Sequence, residues 1–519
     1  MRQLEIIVRQ TDETGKELSG TTPLHLTFEV MASEDLRPGE ALDQLEQETV
    51  RMGMDLLRRI LTWRVEALDA EMAQAREHEG ADCKVTFDGK KPLTIATVVG
   101  RIQLRRQVCH CQHCGRDFMP LNRLLPAHQH LVITRGLEEW VCWFALAASY
   151  EWVHQGLVRM TRDDGVLSPR EVQEIILRHG QGIREREKAQ AEAILSQDEA
   201  PVGEAVLVLN ESPRRGPAWS ERIVRAVEEA LNTQAWDQPP KGVTKADWER
   251  IVTQVRQKEG VKDVRELAHL GPQLRPSDLL VVLDGIVVRG RKKGSRLELR
   301  VAHLQTTEGH RYVTGTGETF LDKVFAAIQA LGGEKRSLIM LGDGARWIRD
   351  FFEIRLAAFP NKELVLDWYH LTKKCKELLS MVTRGRQQRR DLLRQLMPLL
   401  WEGKAEQAIT ILQGLRQTAR REDKLDELIA YLQKHRPYIP NYKQRRRRCQ
   451  FNSSNAAERA CNVLVAHRQK HKSMHWILQG ADALCALQTL WYNRAWDLYW
   501  KGRQLLPLLT SSHPPAFAC

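Results

Sequence analysis

A chain of 519 residues with 42% hydrophobic and 28% charged side chains has the material for several buried cores, which excludes wholesale disorder. Its ten cysteines are too sparse for a disulfide scaffold, and no apolar run approaches the roughly 18 residues of a membrane span. Lys and Arg exceed Asp and Glu by 78 to 66, and the resulting +12 favours polyanionic partners. The opening, MRQLEIIVRQ, lacks the basic, apolar and small-residue blocks of a secretory signal, so cytoplasmic residence is expected.

Residues 1–40 form an N-terminal segment without a clear pattern. From Ala41 to about Ala75, Leu42, Leu45, Leu56, Leu57, Ile60, Leu61, Val65 and Leu68 recur at helical spacing and predict one long amphipathic helix, assigned 41–80. Residues 81–135 lean to β, with turn punctuation at Asp88-Gly89 and Gly100, and run into CHCQHCGRDF. The Cys-x-x-Cys-Gly core has the shape of a zinc knuckle, in which a tight turn aims two thiolates at one tetrahedral ion. Four ligands are needed. Cys83, Cys111 and Cys114 with either His78 or Cys109 supply a structural Zn2+ site, His113 being a spare; the alternative is a ribbon held by hydrophobic contacts alone.

Across 136–195 two helical patterns appear, EEWVCWFALAASYEWVHQGLVRM and SPREVQEIILRHGQGI. In the second, Ser168, Pro169 and Glu171 form a capping box with proline at the first helical position, and Gly180 stands where a helix would stop. The polar turn between the patterns predicts a helix-turn-helix-like DNA-binding region, with Arg170 and Arg178 on the reading helix. Residues 196–276 alternate polar, Pro-rich and helical patches and read as a linker with inserted helices.

The chain changes character at 277. DLLVVLDGIVVRG, RLELRVAHLQ and HRYVTGTGE read as three consecutive strands, followed by helix Thr319–Leu331, strand RSLIMLGDG, helix Ala345–Ala358, and strand KELVLDWYH leading into another helix. The βββαβαβα order is that of a ribonuclease H-like mixed sheet, with its first part at 277–370. Residues 371–450 are almost wholly helical and make an all-helical insertion, because a structureless connection of about 80 residues is implausible. Residues 451–503 return to the core as its final helices, and 504–519 form a tail. The fold class expected is a multidomain α+β/α protein, with a helical and zinc-ribbon-like DNA-binding region ahead of the interrupted sheet.

Asp284 ends the first of these strands and Asp343 the fourth, so the two carboxylates should meet at the C-terminal edge of the sheet. Held close, they repel unless cations neutralise them, and oxygen-only ligands select hard ions such as Mg2+ or Mn2+. Two such ions about 3.5–4 Å apart suit in-line phosphoryl displacement. The third acid is Glu458 in NAAERACNVLVAHRQKHKSMHW, ahead of a basic stripe that includes Arg468, Lys470 and Lys472. A second basic block is Arg445, Arg446, Arg447 and Arg448, suited to a phosphate backbone.

VVLDG, LGDGARWI, LDWYH and the stretch from Asn455 to Trp500 resemble the DDE transposases of bacterial insertion sequences, most closely the ISKra-type group, over roughly 40–190 and 278–501. The resemblance implies that Asp284, Asp343 and Glu458 are the catalytic, metal-holding triad. It places Asp367 and His370, in a Cys/Asp-x-x-His signature, beside the site as DNA-positioning residues. It implies binding of double-stranded DNA at the element's terminal inverted repeats, cleavage and strand transfer, at least a dimer on DNA, and a place at the prokaryotic nucleoid. Two departures stand out: only Cys111 and Cys114 form a complete knuckle, and SSNAAE stands where the family has a glycine-containing approach to its Glu.

Overall fold

The computed structural model describes residues 2–11, 22–32, 39–74, 84–125, 132–196, 274–448, 450–471 and 474–501, with short stretches elsewhere. His78, Cys83, Lys472, the 504–519 tail and nearly all of 197–273 lie outside the described residues. The chain divides into two compact units, Met1–His179 and Gly180–Cys519. Among the described residues no helix is long and apolar enough to cross a membrane.

In the first unit, β1 (Arg2–Val8) and β2 (Leu24–Val30) pair antiparallel, and α1 runs unbroken from Ala41 to Gln74. β3 (Val85–Thr97) and β4 (Gly100–Cys111) form a long hairpin, joined by the short β5 (Asp117–Phe118) and β6 (Val132–Ile133) in the order β5-β4-β3-β6. Asp88-Gly89 does not turn the chain: the register shifts between Phe87 and Gly89, and Gly89, at φ +113°, forms a bulge within β3. Leu61 and Val65 of α1 pack on Ile95, Ile102 and Leu104 of the hairpin. Carboxylates satisfy β4's open edge, where Glu66 accepts from the Arg105 N–H (3.2 Å), Asp69 from Gln107 (2.5 Å) and Asp163 from Arg101 (2.7 Å).

The helical run at 138–160 breaks in two, into α2 (Arg135–Ala145) and α3 (Tyr150–Thr161), because the Ser149 hydroxyl accepts from the Trp152 N–H and caps a new start. The capping box at Ser168 is present: Glu171 accepts from the Ser168 N–H at 2.6 Å and donates its own N–H to the Ser168 hydroxyl at 3.3 Å. α4 (Pro169–Leu195) then continues straight through Gly180.

The second unit is built on a mixed sheet. The two-residue β7 (Val208–Leu209) joins the edge of an antiparallel meander of β8 (Asp278–Arg289), β9 (Arg296–Gln305) and β10 (Gly309–Gly315), pairing with β10. β11 (Ser337–Gly342) lies parallel to β8, and β12 (Lys362–Leu366) parallel to β11, giving the order β12-β11-β8-β9-β10-β7. Strands buried on both faces read as continuous apolar runs, and β8 shows why. Leu279, Val281 and Leu283 face α5 (Gly317–Ala330) and α6 (Arg346–Asp350) with its π-helical continuation to Arg355, whereas Leu280 and Val282 face a helical layer. That layer is α7 (Trp368–Val382), α8 (Arg386–Trp401), α9 (Ala405–Gln413), α10 (Glu422–His435) and α11 (Tyr442–Arg447). Trp401 packs within it, stacked 5.7 Å from Tyr442.

After this layer comes α12 (Asn455–Cys461), which continues through a π turn, Asn462–Ala466, to Gln469. α13 (Leu478–Tyr492) and α14 (Trp496–Trp500) follow. Gly180 of α4 meets α13, and a Cβ there would lie 2.4 Å from the Ala483 Cα. The glycine permits a close helix approach and is not a stop signal.

Candidate active site

Parallel pairing of β8 with β11 fixes where the acids fall. Val282 is opposite Leu341, so two residues on, past the last pair, the chain places Asp284 and Asp343 side by side at the C-terminal ends of neighbouring strands. Burial raises the Asp284 carboxyl above its usual range, and the charge of Asp343 raises it further. Asp284 accepts from the Gly285 N–H at 2.8 Å, and Asp343 from the Ala345 N–H at 2.8 Å.

The next parallel strand brings Asp367, whose own N–H donates to Gly342 O at 2.8 Å. Asp367 is 1% exposed and is the hub of the site. It caps α7 by accepting from the His370 N–H (2.7 Å), pairs with His370 Nδ1 (3.0 Å), and accepts from the Ser454 hydroxyl (3.0 Å) and the Ser454 N–H. Burial pushes this carboxyl up, but the hydrogen bonds from His370 and Ser454 outweigh it and hold it below the usual range. The same bond raises His370, with the charges of Asp367, Asp343 and Asp284 adding to it. Three aspartates therefore favour the protonated imidazole.

Ser454 stands immediately before α12, so Asp367 also pins the start of the helix that holds Glu458. α12 packs against β8 and β9, and Cys461 Sγ lies 3.5 Å from Asp284 Oδ2. Burial, then Asp284, pushes the Cys461 thiol far up, which keeps it a neutral donor. Glu458 sits one helical turn before Cys461 and is exposed. Among the described residues no group of three His, Cys, Asp or Glu is gathered closely enough to hold a metal ion. The pair that the strands do bring together, Asp284 and Asp343, fits one hard divalent cation by its donor chemistry; Glu458 does not join them.

The cysteine cluster differs. Cys109 and Cys111 are buried on β4, Cys114 is exposed, and Gly115, at φ +66°, closes the knuckle by donating to Cys111 O at 2.8 Å. Burial and the neighbouring Asp69 raise the Cys109 thiol. Cys83 and His78, two of the residues expected to complete the ligand set, lie outside the described residues.

Of the basic candidates, Arg445 and Arg468 are corrected by burial. Arg445, 5% exposed, pairs with Glu363 and donates to Phe451 O (3.1 Å) and Asn452 Oδ1 (3.2 Å), fastening α11 to β12. Arg468, 2% exposed, lies 5.4 Å over the Trp476 ring. Arg178 pairs with Glu138, which also binds His179 at 3.0 Å, and Arg170 pairs with Glu174 at 2.9 Å. Arg446, Arg447, Arg448 and Lys470 are exposed. Nothing in the sequence marks Ser454 as a site residue; the one signal for Cys461 is its three-residue spacing from Glu458.

Residues 273–495 are similar to an uncharacterised protein family, UPF0236. No curated protein matches the chain. The matched span runs from just before β8 to just past α13, so it contains Asp284, Asp343, Asp367, His370 and Glu458 and leaves the first unit outside.

Proposed function

We propose that the protein is a DNA transposase that binds the terminal inverted repeats of its own element and carries out metal-dependent strand cleavage and strand transfer. One observation carries this reading: Asp284 and Asp343 lie side by side at the ends of parallel β8 and β11, with Asp284 raised by burial and by its neighbour. Three antiparallel strands followed by two parallel ones, with the helical layer inserted before the last acidic helix, support a ribonuclease H-like core. The resemblance of VVLDG, LGDG and LDWYH to DDE transposases points the same way.

On this reading Asp284 and Asp343 would hold Mg2+ or Mn2+, with Glu458 as the third carboxylate once its exposed side chain turns inward in the DNA complex, as catalytic contacts often tighten only in the complex. When bound, the cations supply Lewis-acid charge to the scissile phosphate. Asp367 orients His370 and keeps it protonated, so that its cationic edge meets a phosphate oxygen. A water oxygen attacks phosphorus and the 3′-oxygen leaves as a hydroxyl. That hydroxyl then attacks a target phosphodiester and displaces the target's 3′-oxygen. One ester is exchanged for another, so no ATP is needed. Joining two ends calls for at least a dimer on DNA.

The test is a labelled duplex carrying the terminal repeat, incubated with magnesium or manganese and a target plasmid. Cleavage at the repeat boundary and joining to plasmid, both abolished in Asp343→Asn with DNA binding kept, are expected. Cutting without joining makes the protein a nuclease. Binding without either reaction favours a second reading, a non-catalytic DNA-binding descendant, for which the exposed and separate Glu458 is the supporting observation.

A further inference from the structure

The β8–β9 connection reads RGRKKGSR, with Arg289, Arg291, Lys292, Lys293 and Arg296 in eight residues and no acid among them. All five are exposed, and none enters an ion pair among the described residues. Like charges so close repel one another, and no described acid neutralises them. The next acid along the strand, Glu298, sits 3.8 Å from Arg300.

The loop is nevertheless held firmly. Gly290 donates to Ser295 O at 2.8 Å, and Ser295 returns its N–H (2.9 Å) and hydroxyl (2.7 Å) to Lys292 O. Gly294, at φ +76°, makes the tight turn, and a Cβ on Gly290 would collide with the Ser295 side chain. Trp476 clamps the base by donating its N–H to Arg289 O (3.0 Å) and accepting from the Arg291 N–H (2.8 Å) at its carbonyl. The Trp476 indole N–H binds Gln469 O at 3.0 Å, so the loop is tied to the segment that displays Lys470, His471 and His475. The loop and His475 line a concavity that has no Phe, Tyr or Trp in its walls.

We propose that this hairpin is a clamp for the phosphate backbone of duplex DNA. A fixed cationic concavity with no Phe, Tyr or Trp in its walls suits phosphates, whereas unpaired bases need a broad stacking platform. Its position sets a distance. β8 runs five residues from Asp284 to Arg289, about 17 Å at ~3.3 Å per residue, which is roughly five base pairs of duplex. The clamp rests on the reading of the chain as a DNA-cutting enzyme only in what it positions; its charge and rigidity stand independently.

The test uses the full chain with Arg291→Ala, Lys292→Ala and Lys293→Ala combined, all three exposed and without an ion-pair partner among the described residues, and a random-sequence 30-base-pair duplex titrated across salt. The plot of log affinity against log salt is expected to be shallower by about 2.7, or 0.9 for each phosphate no longer neutralised, with unchanged circular dichroism. Phosphate-ethylation interference on the terminal repeat is expected to mark phosphates about five base pairs from the cut, and the marks should vanish in the variant. An unchanged slope, no duplex binding by the wild-type chain, or tighter loop-dependent binding of single strands or RNA overturns the clamp. A reduced slope without cleavage by the wild type leaves the clamp and overturns the transposase; cleavage with an unchanged slope does the opposite.

Discussion

Gly180 offers a direct check on how the second unit is packed. As a mid-helix glycine it should be improvable: Gly→Ala in a helix interior gains about 1 kcal/mol. The structure reverses that sign. A Cβ at Gly180 would stand 2.4 Å from both Cα and Cβ of Ala483 and 2.7 Å from its carbonyl oxygen, where carbon atoms settle near 3.5–4.0 Å. The obstacle is backbone, so α4 and α13 must separate by more than ~1 Å, at an overpacking cost of about 1–3 kcal/mol. The separation also stretches the buried bridge one turn on, where Arg184 binds Asp482 at 2.8 Å. A net loss of about 2 kcal/mol is expected for Gly180→Ala, seen as a urea midpoint lower by roughly 0.5 M at constant slope. Gly182, with nothing within 4 Å of its Cβ position, is the control, and Gly182→Ala should hold or raise the midpoint. If Gly180→Ala stabilises as much as Gly182→Ala, the close approach of the two helices is wrong.

Two further outcomes follow from buried charge. Glu187 is held down to about 2 by Lys323 (2.6 Å) and Arg184 (2.8 Å), against the opposing effect of burial. Since its folded value lies below its unfolded one near 4.5, it contributes about 3 kcal/mol that is fully present above pH 4.5 and lost as pH falls toward 2; acid titration of Glu187→Gln should show a correspondingly flatter decline over that window. Arg445→Ala should cost about 3 kcal/mol in thermal or urea unfolding because it leaves the Phe451 carbonyl, Asn452 Oδ1 and Glu363 without their donor, whereas Arg446→Ala, at an exposed position, should lower DNA affinity with no measurable change in stability.

Some of this was legible in the sequence for clear reasons. α1 carries its apolar period through 34 residues without a proline, and its observed bounds follow that period closely. β8, β11 and β12 are apolar runs with Asp284, Asp343 and Asp367 at their ends, so strand-end position could be read before any pairing was known. Other features use residues with more than one meaning. Gly89 serves a bulge where it could equally serve a turn, and Gly180 serves close packing where it could equally end a helix. The break at Ser149 is hidden because apolar residues continue on both sides of it. β1 escapes a reading by pattern because its residues are mostly exposed, with Leu4 and Ile7 each about two-fifths accessible, so no inward-outward alternation marks it. Charge runs are the least legible. Nothing in RRRR distinguishes Arg445, folded inward onto Glu363, from its three exposed neighbours.

The helical layer leaves the sheet at Trp368 and returns at Asn452, and those two ends are joined by the hydrogen bond from the Trp368 N–H to Asn452 O at 3.1 Å. Such a two-point stem is what a transplantable module has, since closing a loop of this length costs only about 4 kcal/mol. Yet the module is not separable. Leu280, Val282, Ile339, Leu341 and Val365 have their partners in it, so a short linker across the stem would preserve the route of the chain while stripping one face of β8, β11 and β12. Variation that lengthens or reshapes its outer helices is therefore tolerable, and deletion is not.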